Sequence, residues 1–393
     1  MIILLFAILP LEHTAGLRYL LCVMLGLRGL LQLSSNLDMS FFKRTWGFAL
    51  WLVWASASYF WSVDPERTFS DLKHDLWAPA LAMLGAYFVF RHRGASTPLL
   101  WAATIGTVTN GIVTAFGAPG AIYPITPVQP YFSTIAYSST FALYYSALAL
   151  PWLLNRDHPR SRALAFLVLL INVSCALLVE SRAFIVAFAF LLAMVASVVA
   201  LYGQQRRIAY AIIAAVVVLI AAFALVNRDR TGVFTDGGDI AAGINHVLTK
   251  EVRFVIWSRW AERAMNGPAL GVGFGRDVPE KTITPAERQA LLAVDPFAPM
   301  HSHNIFISVV AETGWPGLAF FLLMLGQVSW QFTRVARSET GMAAQAGTAG
   351  LLLIAAMILK NQTDVLMVFG SSVLFYAALG SLLAWPRDRR SFS

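Results

Sequence analysis

Apolar residues run along this chain in long blocks, separated by short polar connections. The blocks lie at 2–11, 14–33, 45–61, 74–90, 97–117, 133–154, 163–180, 183–202, 208–226, 317–333, 345–360 and 365–385. Most are near the length of about 20 residues that carries an α-helix across a bilayer. The pattern predicts an all-α polytopic membrane protein with about twelve transmembrane helices. The first block is short, and the last two are parted only by "KNQTD". Residues 227–302 break the rhythm. They are too polar to span, longer than an ordinary connection, and rich in aromatic anchors such as Phe254, Trp257, Trp260 and Phe274. The expected organisation is helices one to nine over 1–226, a loop with interfacial helices over 227–316, and helices ten to twelve plus a tail over 317–393.

Composition agrees with this reading. Hydrophobic residues make up 58% of the 393 and charged residues 13%, about half the charged share of a soluble domain. The formal charge of +8 reports orientation first and needs no nucleic-acid partner. With the N-terminus inside, every inner connection carries basic residues: Lys43 and Arg44; Arg91 and Arg93; Arg156, Arg160 and Arg162; Arg206 and Arg207; Arg334 and Arg337; Arg387, Arg389 and Arg390. The stretch 118–132 holds none, and Arg67 and Lys73 in 62–73 are offset by Asp64, Glu66 and Asp71. This positive-inside pattern predicts both termini in the cytoplasm and the large loop outside. The N-terminus lacks a basic n-region and a small-residue cleavage site, so it reads as a short first span. Cys22 and Cys175 sit in apolar runs and suggest neither a disulfide nor a metal site.

Candidate chemistry gathers on the outer face. Arg182, in "VESRAF", sits between two apolar runs. It reads either as a solvated turn arginine, paired with Glu180, or as a cation meeting an anion at the membrane surface. A helix over about 249–266 carries Lys250, Arg253, Arg259 and Arg263 beside Val252, Ile256, Trp257 and Trp260. Such a helix could lie on the membrane with its arginines snorkelling. The following turn, with Gly271, Gly273 and Gly275, is not a phosphate loop of the Walker type, since no Gly-Lys-Ser/Thr follows. In "HSHNIFISVVAETGWPG" (301–317), Gly314, Pro316 and Gly317 break a helix. A short interfacial helix is therefore expected over about 301–313, with His303 in its first turn and Glu312 at its end. His303 reads as a capping group or as an acid–base group. A metal pair of His301 and His303 is disfavoured, because i, i+2 spacing diverges on a helix and no further ligand stands at a suitable interval. Lys360, Gln362 and Asp364 read as a polar hairpin.

These elements, in this order, carry a resemblance. The His303–Asn304 pair, the apolar run and Glu312-x-Gly314-x-x-Gly317 resemble the signature of the O-antigen ligase and polymerase superfamily. Ser181–Arg182–Ala183 is similar to its Ser-Arg element. "RFVIW" followed by "PALGVGFG" looks like its Arg-x-x-x-Trp element and glycine turn. The likeness covers roughly 165–335. It implies a polytopic, GT-C-like glycosyltransferase with a periplasmic active site in the bacterial inner membrane. The implied donor is an undecaprenyl-pyrophosphate-linked glycan, the acceptor is lipid A–core, and membrane lipids surround both. The resemblance implies metal- and cofactor-independent, inverting transfer, with His303, Arg182 and Arg253 in the catalytic roles. Arg259, Arg263, Asn304 and Glu312 would contact substrate. An O-antigen polymerase, or a related oligosaccharyltransferase, would use the same donor class. A transporter is the reading outside enzymes, but transporters tend to place polar groups and repeats at the midplane, and no repeat is visible here.

Overall fold

The computed structural model describes residues 1–11, 13–36, 39–91, 96–117, 135–155, 157–179, 181–202, 214, 252–338, 341–363 and 367–385. Among these the regular structure is entirely helical. The helices are α1 (Ile2–Ile8), α2 (Ala15–Asn36), α3 (Ser40–Ala57), α4 (Pro65–Asp71), α5 (Ala78–Phe90), α6 (Ser96–Gly117), α7 (Ile135–Ala149), α8 (Pro159–Leu178), α9 (Arg182–Tyr202), α10 (Val252–Asn266), α11 (Pro285–Leu292), α12 (Ile305–Ser338), α13 (Gly341–Lys360) and α14 (Phe369–Leu383). A π-helical turn, Leu72–Trp77, joins α4 to α5. Five of them, α2, α6, α8, α12 and α13, contain stretches long and apolar enough to cross a membrane, and α9 and α14 are shorter apolar helices. This is the architecture of a polytopic membrane protein. Apart from residue 214, the ninth apolar block (208–226) and the loop up to 251 lie outside the described residues, and so do Glu180, Lys250 and Asp364.

Two features suit this bundle to lipid. Large apolar side chains face outward, with Leu31, Phe166 and Leu177 each more than half exposed. A water-soluble surface would not carry so much exposed apolar area. Helices also approach closely through small residues, as lipid-embedded helices do. A Cβ on Gly85 of α5 would meet the Leu25 carbonyl of α2, and one on Gly380 of α14 would meet the Met83 carbonyl of α5. Buried hydroxyls return to their own helix, as Ser146 does to the Ala142 carbonyl and Ser381 to that of Ala377.

The two ends of the bundle differ. At one end, Arg44 donates to the carbonyls of Leu383 and Trp385, and Gln331 donates to the Arg44 carbonyl. The opposite end, the site end, holds α4, the glycine turn, the start of α12 and the start of α14.

Candidate active site

The site end is organised by the break in α12. At Gly314 the backbone takes φ 72° and ψ −174°. A continuous helix would bond the carbonyls of Ala311, Glu312 and Thr313 to the amides of residues 315, 316 and 317. Here Pro316 has no N–H, and the Trp315 amide turns away to the Ala269 carbonyl at 3.1 Å. The released carbonyls all find partners. Val272 N donates to Ala311 O at 3.1 Å, Gly273 N to Glu312 O at 2.8 Å, and Trp54 Nε1 to Thr313 O at 2.9 Å. Buried backbone groups need such replacements. The glycine turn and the Gly-x-Pro-Gly break are therefore one structure. A Cβ on Gly314 would lie 2.1 Å from the Ala269 carbonyl, and one on Gly271 (φ 73°) would lie 2.5 Å from that of Glu312.

The same turn is clasped from its other side by the first half of the chain. Val63 N donates to Val272 O at 2.9 Å. Phe274 N donates to Ser58 Oγ at 2.8 Å, and Trp61 Nε1 to Leu270 O at 2.9 Å. Asp64 caps α4 by accepting from the Arg67 amide. Arg67 in turn bridges Asp277 at 2.7 Å and Asp71 at 3.2 Å. Burial raises the Asp71 carboxyl above the usual carboxylate range; the positive charge of Arg67 opposes this and Asp277 adds to it. Ser58, Arg67, Asp71 and Arg276 have no part in the sequence-based site.

The histidine loop stands before α12, not inside it. Expected in a first helical turn, His303 instead precedes the helix with φ 54°. Asn304 is the residue that caps it, with Oδ1 accepting from the amides of Phe306 at 3.0 Å and Ile307 at 3.3 Å. Asn304 Nδ2 donates to Gln362 at 2.8 Å, and Ile305 N donates to the Asn361 carbonyl at 2.8 Å. The end of α13 thus fixes the start of α12. The His301 and His303 rings are 4.1 Å apart and both are buried. His301 is an immediate neighbour of the candidate base, a contact that helical i, i+2 spacing had argued against.

Helix α10 seats this loop. Trp257 Nε1 donates to the His303 carbonyl at 3.4 Å and Trp260 Nε1 to that of Ala298 at 2.8 Å. Ile256 and Trp260 pack with Leu291 and Ala298, against Ile307 and Ala311 of α12. The buried apolar residues of α10 thus meet protein, where a membrane-surface position had been an option. Arg253, partly exposed, lies one turn before Trp257 and so shares the side facing the histidine loop. Arg259 is exposed. Arg263 is held by Glu287 at 3.3 Å and by Thr282. Glu287 closes a capping box with Thr284, and these bonds, with Arg263, hold its carboxyl below the usual range. Glu312 turns to the glycine turn and accepts from Gly275 N at 3.2 Å. Arg182 is exposed in the first turn of α9, and α9 packs on α13, the helix that anchors the histidine loop.

The structure therefore joins His303, Asn304 and the Arg253 side of α10, and separates Arg263 and Glu312 into other contacts. Residues 164–322 match the family model of the O-antigen ligase. The matched stretch begins in α8 and ends just past the break in α12, so it contains Arg182, all of α10, the glycine turn and the histidine loop. Its limits agree with the resemblance over 165–335 read from the motifs. No curated protein matches the chain.

Proposed function

We propose that the protein is an O-antigen ligase, which moves a glycan from undecaprenyl pyrophosphate to lipid A–core at the periplasmic face of the inner membrane. The observation that carries this reading is the seating of α10, with Arg253, on the His303 backbone inside the O-antigen ligase domain. In the reaction, an acceptor hydroxyl attacks the anomeric carbon of the donor sugar. The new C–O bond forms as the bond to the pyrophosphate oxygen breaks, and the hydroxyl proton passes to His303. The anomeric centre inverts. Positioned general bases contribute roughly 10²–10⁴-fold. Arg253 and Arg182 stand for the developing negative charge on the pyrophosphate, where a lost donor costs about 10²–10³-fold. Guanidinium forks suit phosphate oxygens without a metal.

The positive-inside pattern supports an arrangement of twelve spans with both termini cytoplasmic and the site outside, and the family resemblance supports a GT-C-like fold. His303→Ala in cells should leave bare lipid A–core while lipid-linked glycan accumulates. Fully capped lipopolysaccharide in that variant would rule out the assigned base. Deletion separates the two donor-sharing activities: loss of a ligase leaves bare core, and loss of a polymerase leaves core carrying one repeat. Activity of the purified protein in EDTA tests independence from divalent cations.

A further inference from the structure

Beside the histidine loop the site end encloses a cavity of ≈ 610 Å³, within the range of roughly 300–1,000 Å³ usual for small-molecule sites. None of the residues assigned above to the transfer step lines it. Its walls mix basic and acidic side chains: Arg18, Arg67 and Arg276 with His13 and His74, and Asp71, Asp75 and Asp277. Arg67 is already engaged with Asp71 and Asp277. Arg18 is engaged with Thr14 and the Leu11 carbonyl. A neutral ligand rich in hydroxyls suits walls of this kind, because each hydroxyl both donates and accepts and needs no surplus of positive charge.

Two further features fit a sugar. Arg276 Nε and Asp277 Oδ1 stand 3.9 Å apart, beyond hydrogen-bond distance, and each side chain is about a quarter exposed. One ligand hydroxyl can serve both. The apolar walls include Phe369, stacked on Tyr19 at 4.4 Å, and Phe141, stacked on Tyr145 at 6.3 Å. Rings held rigidly in this way suit the C–H faces of a pyranose. Met300 also lines the cavity, one residue before His301, so a sugar bound here adjoins the proposed transfer point.

We infer that this cavity is a glycan subsite that holds a non-reacting sugar of either the acceptor core or the donor repeat. The inference rests on the proposed transfer only for the origin of the sugar, and binding alone tests it. The probes are delipidated core oligosaccharide, free repeat-unit oligosaccharide without lipid or phosphate, and inorganic pyrophosphate. Each is titrated into the full chain in nanodiscs. A Cβ at Gly370 would lie 3.3 Å from Phe141 and 3.5 Å from Arg18, so Gly370→Leu places a side chain in the cavity. Asp75→Asn keeps the shape and replaces one carboxyl oxygen by an amide donor. Wild type should bind one oligosaccharide, and the one bound names the source. Both variants should weaken it about tenfold or more at an unchanged melting temperature. If Gly370→Leu does not fold, Asp75→Asn decides. His303→Ala should bind like wild type. A His303→Ala variant that binds and still ligates would sink the assigned base and leave the subsite standing. The subsite is overturned by failure of both oligosaccharides to bind, by wild-type affinity in the folded variants, by competition from pyrophosphate, or by loss of binding in His303→Ala.

Discussion

The amide of Gly273 donates to the Glu312 carbonyl at 2.8 Å, supplying the bond that Pro316 cannot. Two motifs 40 residues apart in sequence thus complete each other's backbone hydrogen bonding. The break in α12 is stable because the glycine turn fills it, and the turn is fixed because the break receives it.

Gly314→Ala tests that dependence. A non-glycine residue at this φ costs about 1–3 kcal/mol, and its Cβ would strike the Ala269 carbonyl, which is backbone and cannot rotate away. The variant should melt several degrees below wild type in detergent, followed by tryptophan fluorescence. Gly326→Ala in the same helix meets nothing within 4 Å and should be neutral, or stabilising by up to about 1 kcal/mol. Equal melting of both variants would mean that the turn is not seated in the break.

Asn304 is placed to act through the fold. Its side chain caps α12 and ties it to Gln362. Asn304→Ala should cost about 0.5–2 kcal/mol through the lost cap. Asn304→Asp keeps the cap acceptor and should recover most of that stability. Transfer activity that follows the melting temperature across both variants supports a positioning role. Activity abolished in a fully stable Asn304→Asp would point to direct substrate contact.

Asp71 predicts a pH dependence of stability. Burial, helped by the charge of Asp277, raises its carboxyl in the folded state against the opposing pull of Arg67 and Arg276. The folded chain then keeps this proton at pH values where the unfolded chain has released it. The contribution is complete below the unfolded value and lost as pH rises through the folded one. Asp71→Asn removes the titration. The stability of the variant relative to wild type should therefore improve as pH rises above about 4. Glu287 shifts the opposite way but is common to both proteins and cancels, while Asp75, raised in part by Asp71, is raised less in the variant and adds to the same trend. A constant difference in melting temperature across that range would contradict the assignment.

Part of this site is written plainly in the sequence. The apolar blocks follow from bilayer thickness, and the Gly314–Gly317 break follows from proline and glycine chemistry. The motif order brought Arg182, Arg253 and His303 into one stretch of resemblance over roughly 165–335, where the family model matches 164–322. The joining of the glycine turn to the break is not legible, because backbone amides and carbonyls carry no sequence letter. The contribution of Ser58, Arg67 and Asp71 is hidden for a related reason. Their partners lie some 200 residues away, and the local trace is only an Asp64–Pro65 cap with an i, i+4 pair. The offset of His303 was legible in principle. Asparagine is among the strongest N-cap residues, and Asn304 marks the helix start one residue beyond the histidine.

The three arginines of α10 should separate by consequence. Arg263 is spent on Glu287 and Thr282 at a partly exposed ion pair, and solvent-accessible pairs contribute about 0–1 kcal/mol. Arg263→Ala should lower stability by no more than that and leave transfer near wild type. Arg253 shares the side of α10 that carries Trp257 to the His303 carbonyl. Arg253→Ala should lower the turnover of purified, folded protein about 10²–10³-fold. Lysine there keeps the charge but loses the two-pronged donor geometry, so Arg253→Lys should recover only part of the rate. Arg259 is exposed, and its replacement should resemble that of Arg263. A greater loss in Arg263→Ala than in Arg253→Ala, both stably folded, would move the phosphate-facing charge to the far end of the helix and away from the histidine loop.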